Sequence, residues 1–357
     1  PDDLIDIVGS FTVTNTIHVV VDEVTYRDGG RWGRWSDGGG SSLERIDPHS
    51  DARQAPNWAD SDESAKSPWV TVEFTGTLDN GAMAAADALH LFLQDEGECL
   101  VDNVEVVTTG NMVSNGGFES GSAGWHFQGT HDQSTIEDTG GYGGGKCLHL
   151  RASARGDTGA NRVRTPLTSS LSSGSVATLR AKVRWLKGNH EILLRLRGNY
   201  LEAFTNIVAA RNLGTPGAVN SRYLSNVGPA IHDVSHSPIT PSAGQAVTVR
   251  AQVGDPDGVA ALTLQYRVDP ATNFTAISMT YRGAGLYTAT IPGQTSGSIV
   301  AFHIQAADAS SPVGSTRFPD DAPTRECLIR FGDPVLSTGR VGTYRLWVTQ
   351  ATINRWT

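Results

Sequence analysis

The chain has 357 residues, enough for two or three domains, and its 38% apolar and 18% charged content excludes a disordered chain and a coiled coil. A formal charge of -9 has the wrong sign for a phosphate-backbone binder, so no nucleic-acid partner is expected. No apolar run reaches the roughly 18 residues of a membrane helix, and 3 Cys are too few for a disulfide framework or a zinc cluster.

Strand patterns dominate from one end to the other. Short runs rich in Val, Leu, Thr and aromatics, bounded by Gly, Pro, Asn or Asp, predict strands over 16–24, 69–75, 88–94, 98–107, 146–152, 177–185, 191–197, 246–253, 261–268, 285–291 and 299–306. No segment sustains an apolar period of 3.6 residues; 81–88 would make one helical turn at most. The expected fold class is all-β, a tandem of β-sandwiches. Polar, Pro-containing stretches at 47–66, 212–229 and 309–324 read as an ordered loop, a linker and a second long loop.

Two groups of motifs are familiar. Residues 21–32 (Val-Asp-Glu-Val-Thr-Tyr-Arg-Asp-Gly-Gly-Arg-Trp), 37–48 (Asp-Gly-Gly-Gly-Ser-Ser-Leu-Glu-Arg-Ile-Asp-Pro) and Asn57-Trp58 resemble the C-terminal half of a bacterial lamin-tail domain, an immunoglobulin-like sandwich. That family closes with a Gly-Thr-Pro-Gly turn, which here stands far downstream at 214–217, so an insertion is expected. Within the insert, Asn115-Gly-Gly-Phe-Glu119, Gly124-Trp125 and Lys146-Cys-Leu-His-Leu150 resemble carbohydrate-binding jelly rolls of the galactose-binding-like class. The closing strands of that class precede these motifs, at 69–74, 89–93 and 99–106, which implies a circularly permuted jelly roll.

The expected organisation is therefore a lamin-tail-like sandwich, 1–64 plus 206–222 and N-terminally incomplete, with a jelly roll inserted at 65–205. An immunoglobulin- or fibronectin-like module follows at 223–333. Residues 334–357 resemble the entry to a CotH-type, spore-coat kinase-like domain. Such modules occur together in large exported bacterial proteins, so a secreted or cell-surface location and a longer parent are expected, with any kinase activity downstream of Thr357.

The candidate sites follow from the jelly-roll resemblance. Jelly rolls of this class often hold a structural Ca²⁺, and the matching residues are Asp102 and Glu119, with Asn115 nearby; oxygen donors from several segments suit this ion. The other reading makes Glu119 a turn residue and Asp102 a solvated strand acid. A sugar site would draw on Trp125, His126, Tyr142 and Trp185, although a Trp in a strand is more often core. Cys99 and Cys147 lie in β-like runs of one domain and would form a disulfide in an exported protein; the alternative is two separately buried thiols. Asp255, Asp257 and Asp308 would form a second Ca²⁺ clip, with a plain Asp-Pro/Asp-Gly turn as the simpler reading. The alternating basic residues of 180–197 read as a solvated strand face, and the Gly-rich run 140–145 lacks the Lys-Ser/Thr of a phosphate loop. No catalytic constellation emerges. The expected function is structural or adhesive, with a glycan, a surface protein or self-assembly as the partner; glycan binding through the jelly roll and the non-catalytic part of a CotH-type kinase are the alternatives.

Overall fold

A computed structural model describes residues 2–8, 11–17, 19–20, 22–27, 29–79, 85–155, 160–198, 200–334 and 344–356. His18, residues 81–84 of the proposed helical turn, and Gly342 and Thr343 lie outside these; residues 85–88 of that turn are strand. In chain order the strands are β1 (Asp2–Val8), β2 (Phe11–Ile17), β3 (Leu43–Arg45), β4 (Trp58–Asp60), β5 (Val70–Thr77), β6 (Ala85–Leu93), β7 (Gly97–Val107), β8 (His126–Gln128), β9 (Thr135–Glu137), β10 (Cys147–Ala152), β11 (Arg162–Ser172), β12 (Val176–Gly188), β13 (Glu191–Leu196) and β14 (Glu202–Asn206). They continue with β15 (Ala230–Ser237), β16 (Val247–Gly254), β17 (Val259–Val268), β18 (Thr275–Ser278), β19 (Thr280–Gly283), β20 (Leu286–Ile291), β21 (Ile299–Asp308), β22 (Ser315–Phe318) and β23 (Cys327–Arg330), before one short helix, α1 (Gln350–Trp356). The protein is all-β, a tandem of antiparallel sandwiches. No helix among the described residues is long and apolar enough to cross a membrane.

The chain divides into two units. One comprises Gly33–Glu44 and Asp60–Arg222; the other comprises Pro1–Trp32, Arg45–Ala59 and Tyr223–Thr357. These lines differ from the sequence boundary at 64/65, because segments on both sides of the 65–205 stretch fold with it.

The first unit is a sandwich of two five-stranded sheets, ordered β5-β12-β7-β10-β9 and β14-β13-β6-β11-β8. Strand alternation builds its core. On β12, Ala177, Leu179, Ala181, Val183 and Trp185 point inward while Arg180, Lys182 and Arg184 point out. The facing sheet contributes Leu89, Leu91, Leu93, Ile192, Leu194 and Leu196, all fully buried. Each such side chain contributes about 1.5–3 kcal/mol by leaving water. A bulge interrupts the pattern on β7: Glu105 and Asp102 stand opposite Arg180 and Lys182, so Asn103 and Val104 together face the single Ala181. Asn103 takes φ 47°, a left-handed conformation that Asn tolerates better than most residues. The Val104 N–H donates to the Gly116 carbonyl at 2.9 Å, and a Cβ on Gly116 would collide with the Val104 carbonyl oxygen.

Two buried carboxylates tie the returning chain into this unit. Glu44 accepts hydrogen bonds from the Thr215 hydroxyl (2.7 Å), the Ser221 hydroxyl (2.7 Å) and the Arg222 N–H (3.2 Å). Glu63 accepts from the Gly214 N–H (2.7 Å) and the Ser61 hydroxyl (2.5 Å), and its other oxygen lies 2.7 Å from Lys66 Nζ. The Gly-Thr-Pro-Gly turn is thus held by side chains more than a hundred residues earlier.

The second unit contains a sandwich of sheets β15-β16-β20-β19 and β18-β17-β21-β22, with β23 also paired to β21; β1 and β2 form a separate antiparallel pair. Val247, Val249, Leu264, Val300, Phe302 and Ile304 fill its core. Buried Arg267 pairs with Glu326 at 2.5 Å and Asp269 at 3.2 Å.

Burial pushes the Glu44 carboxyl up, but the Ser221, Thr215 and Arg222 donors together outweigh it and hold the group below its ordinary 4.5. A depressed acid stabilises the fold fully above its unfolded value, and that contribution is lost as pH falls through the lower folded value. Glu44→Gln is therefore expected to cost about 1–3 kcal/mol at neutral pH. Urea denaturation at a series of pH values should show a flatter acid limb below about pH 5 in the variant than in the parent.

Candidate functional site

The β7 bulge aims Asp102 at the Gly-rich loop over residues 140–146. Asp102 Oδ2 accepts the Tyr142 N–H at 2.8 Å and Oδ1 accepts the Asn103 N–H at 2.6 Å. Glu119, on the loop after Phe118, accepts the Lys146 N–H at 3.0 Å. The loop threads between the two carboxylates. A Cβ on Gly141 would stand 2.8 Å from Asp102 Oδ2, and one on Gly145, which has φ 85°, would collide with Glu119 Oε1. Asp102 is buried at 3% exposure and has no ion-pair partner among the described residues. Burial raises its pKa, the two N–H donors oppose the shift, and the charge of Glu119 adds to it.

Asn115 does not join this pair. Its amide nitrogen donates to the Gly121 and Ala123 carbonyls at 2.9 and 3.1 Å, and its Oδ1 accepts the Ser120 N–H at 3.3 Å. Its carbonyl receives the Trp125 indole N–H at 2.9 Å, so Asn115 braces a turn. Among the described residues no group of three or more His, Cys, Asp and Glu side chains is arranged to hold a metal ion. In the second unit, Asp308 is taken up by the Asn226 amide (2.8 Å) and the Ser310 and Gly314 N–H groups (2.9 and 3.1 Å). The Asp257 N–H donates to Asp255 Oδ1 at 2.8 Å, the geometry of a turn.

The four proposed sugar-binding residues are not brought together. Trp185 and Trp125 are core residues, 2% and 6% exposed. The Trp185 indole donates to the Gly188 carbonyl at 3.0 Å, and Trp125 packs against Phe118 with ring centroids 5.0 Å apart. Neither offers a face to a sugar: Trp185 has inward parity on β12, and Trp125 is turned in by its bond to Asn115. His126 is exposed on β8, in the sheet opposite the one that carries Tyr142's surroundings. Tyr142 is 43% exposed, meets Trp69 edge-on at 5.9 Å, and has Lys182 Nζ 4.6 Å above its ring.

Cys99 and Cys147 are both buried free thiols and do not pair. Cys99 faces the inter-sheet core, whereas Cys147 lies on the outer face of the same sheet with Leu100 and Leu186. The cause is register. Leu148 and Leu150 take the inward positions of β10, so Cys147 must point the other way.

The outer face of the β5-β12-β7-β10-β9 sheet holds a network that the sequence reading noted only as strand residues. His149 stands between Glu98 (2.8 Å) and Glu137 (2.7 Å), with Lys187 3.5 Å from Glu98. This group lines a groove of about 420 Å³ with Arg151 and Arg184. A second groove, about 710 Å³, is lined by Glu73, Asn103, Glu105, Asn111, Arg180 and Lys182. There Arg180 bonds Glu73 and, at 3.1 Å, Glu105. The Cys-Leu-His-Leu-Arg alternation of β10 was the available signal for the His149 and Arg151 positions.

No family model and no curated protein matches the chain. Among solved structures it is similar to a DUF4785 family protein from Legionella pneumophila subsp. pneumophila str. Philadelphia 1, at 7% identity and a TM-score of 0.23. The alignment covers 75% of this chain and 62% of that one. A likeness at this level carries no functional argument.

The cysteine geometry has a direct readout. Burial removes Cys99 from ordinary thiol chemistry and pushes the Cys147 and Cys327 thiols up to about 11. Since the thiolate is the reactive form, Ellman's reagent at pH 8 is expected to label the folded protein slowly and the urea-unfolded protein completely. Mass spectrometry should find no mass change on reduction.

Proposed function

We propose that this chain is a structural and adhesive segment of a secreted or cell-surface bacterial protein, without catalytic activity of its own, that spaces and presents other modules. The observation that supports this best is the finished state of the outer face of the first sandwich. Many of its polar side chains are taken up by one another, His149 between two glutamates and Arg180 between two more, while Trp125 and Trp185 sit in the core. Exposed pairs such as Arg180 with Glu73 contribute little stability each but cover a sheet face with fixed, hydrated groups. Self-assembly through such faces belongs to the same reading.

A structural Ca²⁺ held by the Asp102 and Glu119 carboxylates is part of the proposal. Asp102 is a buried acid with a raised pKa beside a second carboxylate, and a hard divalent cation is the ligand that relieves that arrangement. A second reading, neutral-glycan binding, is favoured by one observation, the exposed Tyr142 ring beside Trp69 and Lys182.

Thermal unfolding in EDTA and then in excess Ca²⁺ tests the metal. A cation that binds only the folded state stabilises it by about 2.7 kcal/mol at a hundred times its Kd, so the Tm is expected to rise in the parent and to stay level in Asp102→Asn. No shift in the parent removes the calcium. A neutral-glycan array separates the two functional readings. A blank array is expected; hits abolished by Tyr142→Ala would replace the structural reading with a carbohydrate-binding one.

A further inference from the structure

The opposite sheet of the first sandwich carries a different kind of face. Its register aligns one row of side chains across all five strands: Glu202 opposite Arg195, Arg195 opposite His90, His90 opposite Arg164, and Arg164 opposite His126. These residues have outward parity, because Leu89, Leu91, Leu194, Leu196 and Val163 occupy the core positions beside them. Arg162 stands two residues from Arg164 on β11, on the same face and about 7 Å along the strand. Arg197 continues the face at the end of β13.

The charges on this face do not balance. Arg195 reaches Glu202 at 2.5 Å and Arg197 reaches Asp87 at 2.9 Å. Arg164 bonds only the neutral Gln128 Oε1 at 3.1 Å among side chains, and neither Arg162 nor Arg164 meets a carboxylate among the described residues. In the middle lies His90, 4% exposed, with its Nε2 buried and unpartnered; the Nε of Arg162 is likewise buried without a partner. A buried donor left unmade costs about 1–3 kcal/mol, which a folded protein of net charge -9 has kept at the centre of a positive patch. Phe92 meets the His90 ring edge-on at 6.0 Å and carries the Arg195 guanidinium 5.4 Å from its centroid, which gives the row an apolar floor.

We propose that this face is an oxyanion-binding site, with Arg162 and Arg164 as the guanidinium pair and His90 beneath them, taking the carboxylate or sulfate groups of an acidic polysaccharide. Guanidinium donors match both groups in planar, bidentate geometry. Burial, and after it the four arginines, pushes the His90 imidazole down to about 4, so it is neutral at physiological pH. A neutral imidazole still presents one N–H donor, and it adds no further cation to a face already rich in them. Two charged groups about 7 Å apart along a flat strand suit a repeating polymer better than a single buried ion. The polysaccharide source rests on the adhesive reading above; the oxyanion chemistry does not.

The test uses the whole chain and four probes: sodium sulfate, dextran sulfate, polygalacturonate and neutral dextran. Binding is followed by calorimetry and by the imidazole NMR signals of His90 and His126. Dextran sulfate or polygalacturonate is expected to bind and to move the His90 signal, with neutral dextran inert; whichever polymer binds names the group. An R162Q/R164Q double variant is expected to lose at least tenfold in affinity, while Arg282→Gln, which removes an arginine charge from the other unit, leaves it unchanged. The His90 signal in the parent is read independently of whether the double variant folds. A His90 shift with sulfate but no polymer binding keeps the oxyanion site, overturns the polysaccharide as its ligand and leaves the structural reading standing. No His90 shift with any anion, or an equal loss in Arg282→Gln, overturns the site.

Discussion

Two sheets that share one core leave each strand residue a single choice, inward or outward, and in the first sandwich that parity decides nearly every functional question. A strand rotates its side chains through half a turn per residue, so neighbours cannot share a face. Cys147 follows from this: with Leu148 and Leu150 committed to the core, its thiol is carried to the far side of the sheet from Cys99. Trp185 follows equally, as the last inward position of a strand that begins its alternation at Ala177. At the bulge of Asn103 and Val104 parity is reset, and there the sheet turns a buried carboxylate toward a glycine loop. Bulges cost ladder pairing, and they persist where they re-aim a side chain.

The buried acids of this unit show how differently the same group can be treated. Glu44 and Glu63 are surrounded by donors supplied by the returning chain, and they act as anchors. Among the described residues Asp102 receives two N–H groups and no cation, with Glu119 adding its charge. Glu44 therefore favours the ionised fold, while Asp102 opposes it. An anchor of the Glu44 kind is built entirely within the polypeptide, and the Asp102 and Glu119 pair is where the proposed Ca²⁺ would supply the missing cation.

Much of the fold was legible because period-two patterns survive in isolated strands. The runs at 98–107, 177–185 and 191–197 were read close to the elements formed, since Val, Leu and Trp alternate with charge there. The predicted strand at 16–24 was not: β2 ends at Ile17, and the described residues after it are irregular and exposed. Strand β11 was missed because Pro166 and a run of Ser and Thr mask its alternation; the register shift between Pro166 and Leu171 is where the ladder absorbs them. Of the site, Asp102 and Glu119 were legible as residue types in a known order. The role of Asn115 was not, because an amide reads alike as a ligand or a turn brace until its partners are known. Trp125 and Trp185 misled for the same reason: an aromatic ring suits a platform and a core equally, and only neighbours decide.

The two outer faces of this sandwich then differ in a way that composition conceals. Both are rich in arginine, and the run 180–197 contributes to both, since β12 belongs to one sheet and β13 to the other. On the β12 side, the neighbouring strands β5 and β7 place Glu73 and Glu105 within reach of Arg180, and the face closes on itself. On the β13 side, the central strand β6 offers His90 where a carboxylate would have neutralised the row, and β11 adds Arg162 and Arg164 with no acid paired to them among the described residues. Cross-strand pairs are the unit in which a sheet face is stabilised, and like charges set side by side oppose folding. A face that retains them, with a buried imidazole nitrogen unmade at its centre, differs from its partner in what it still has to bind.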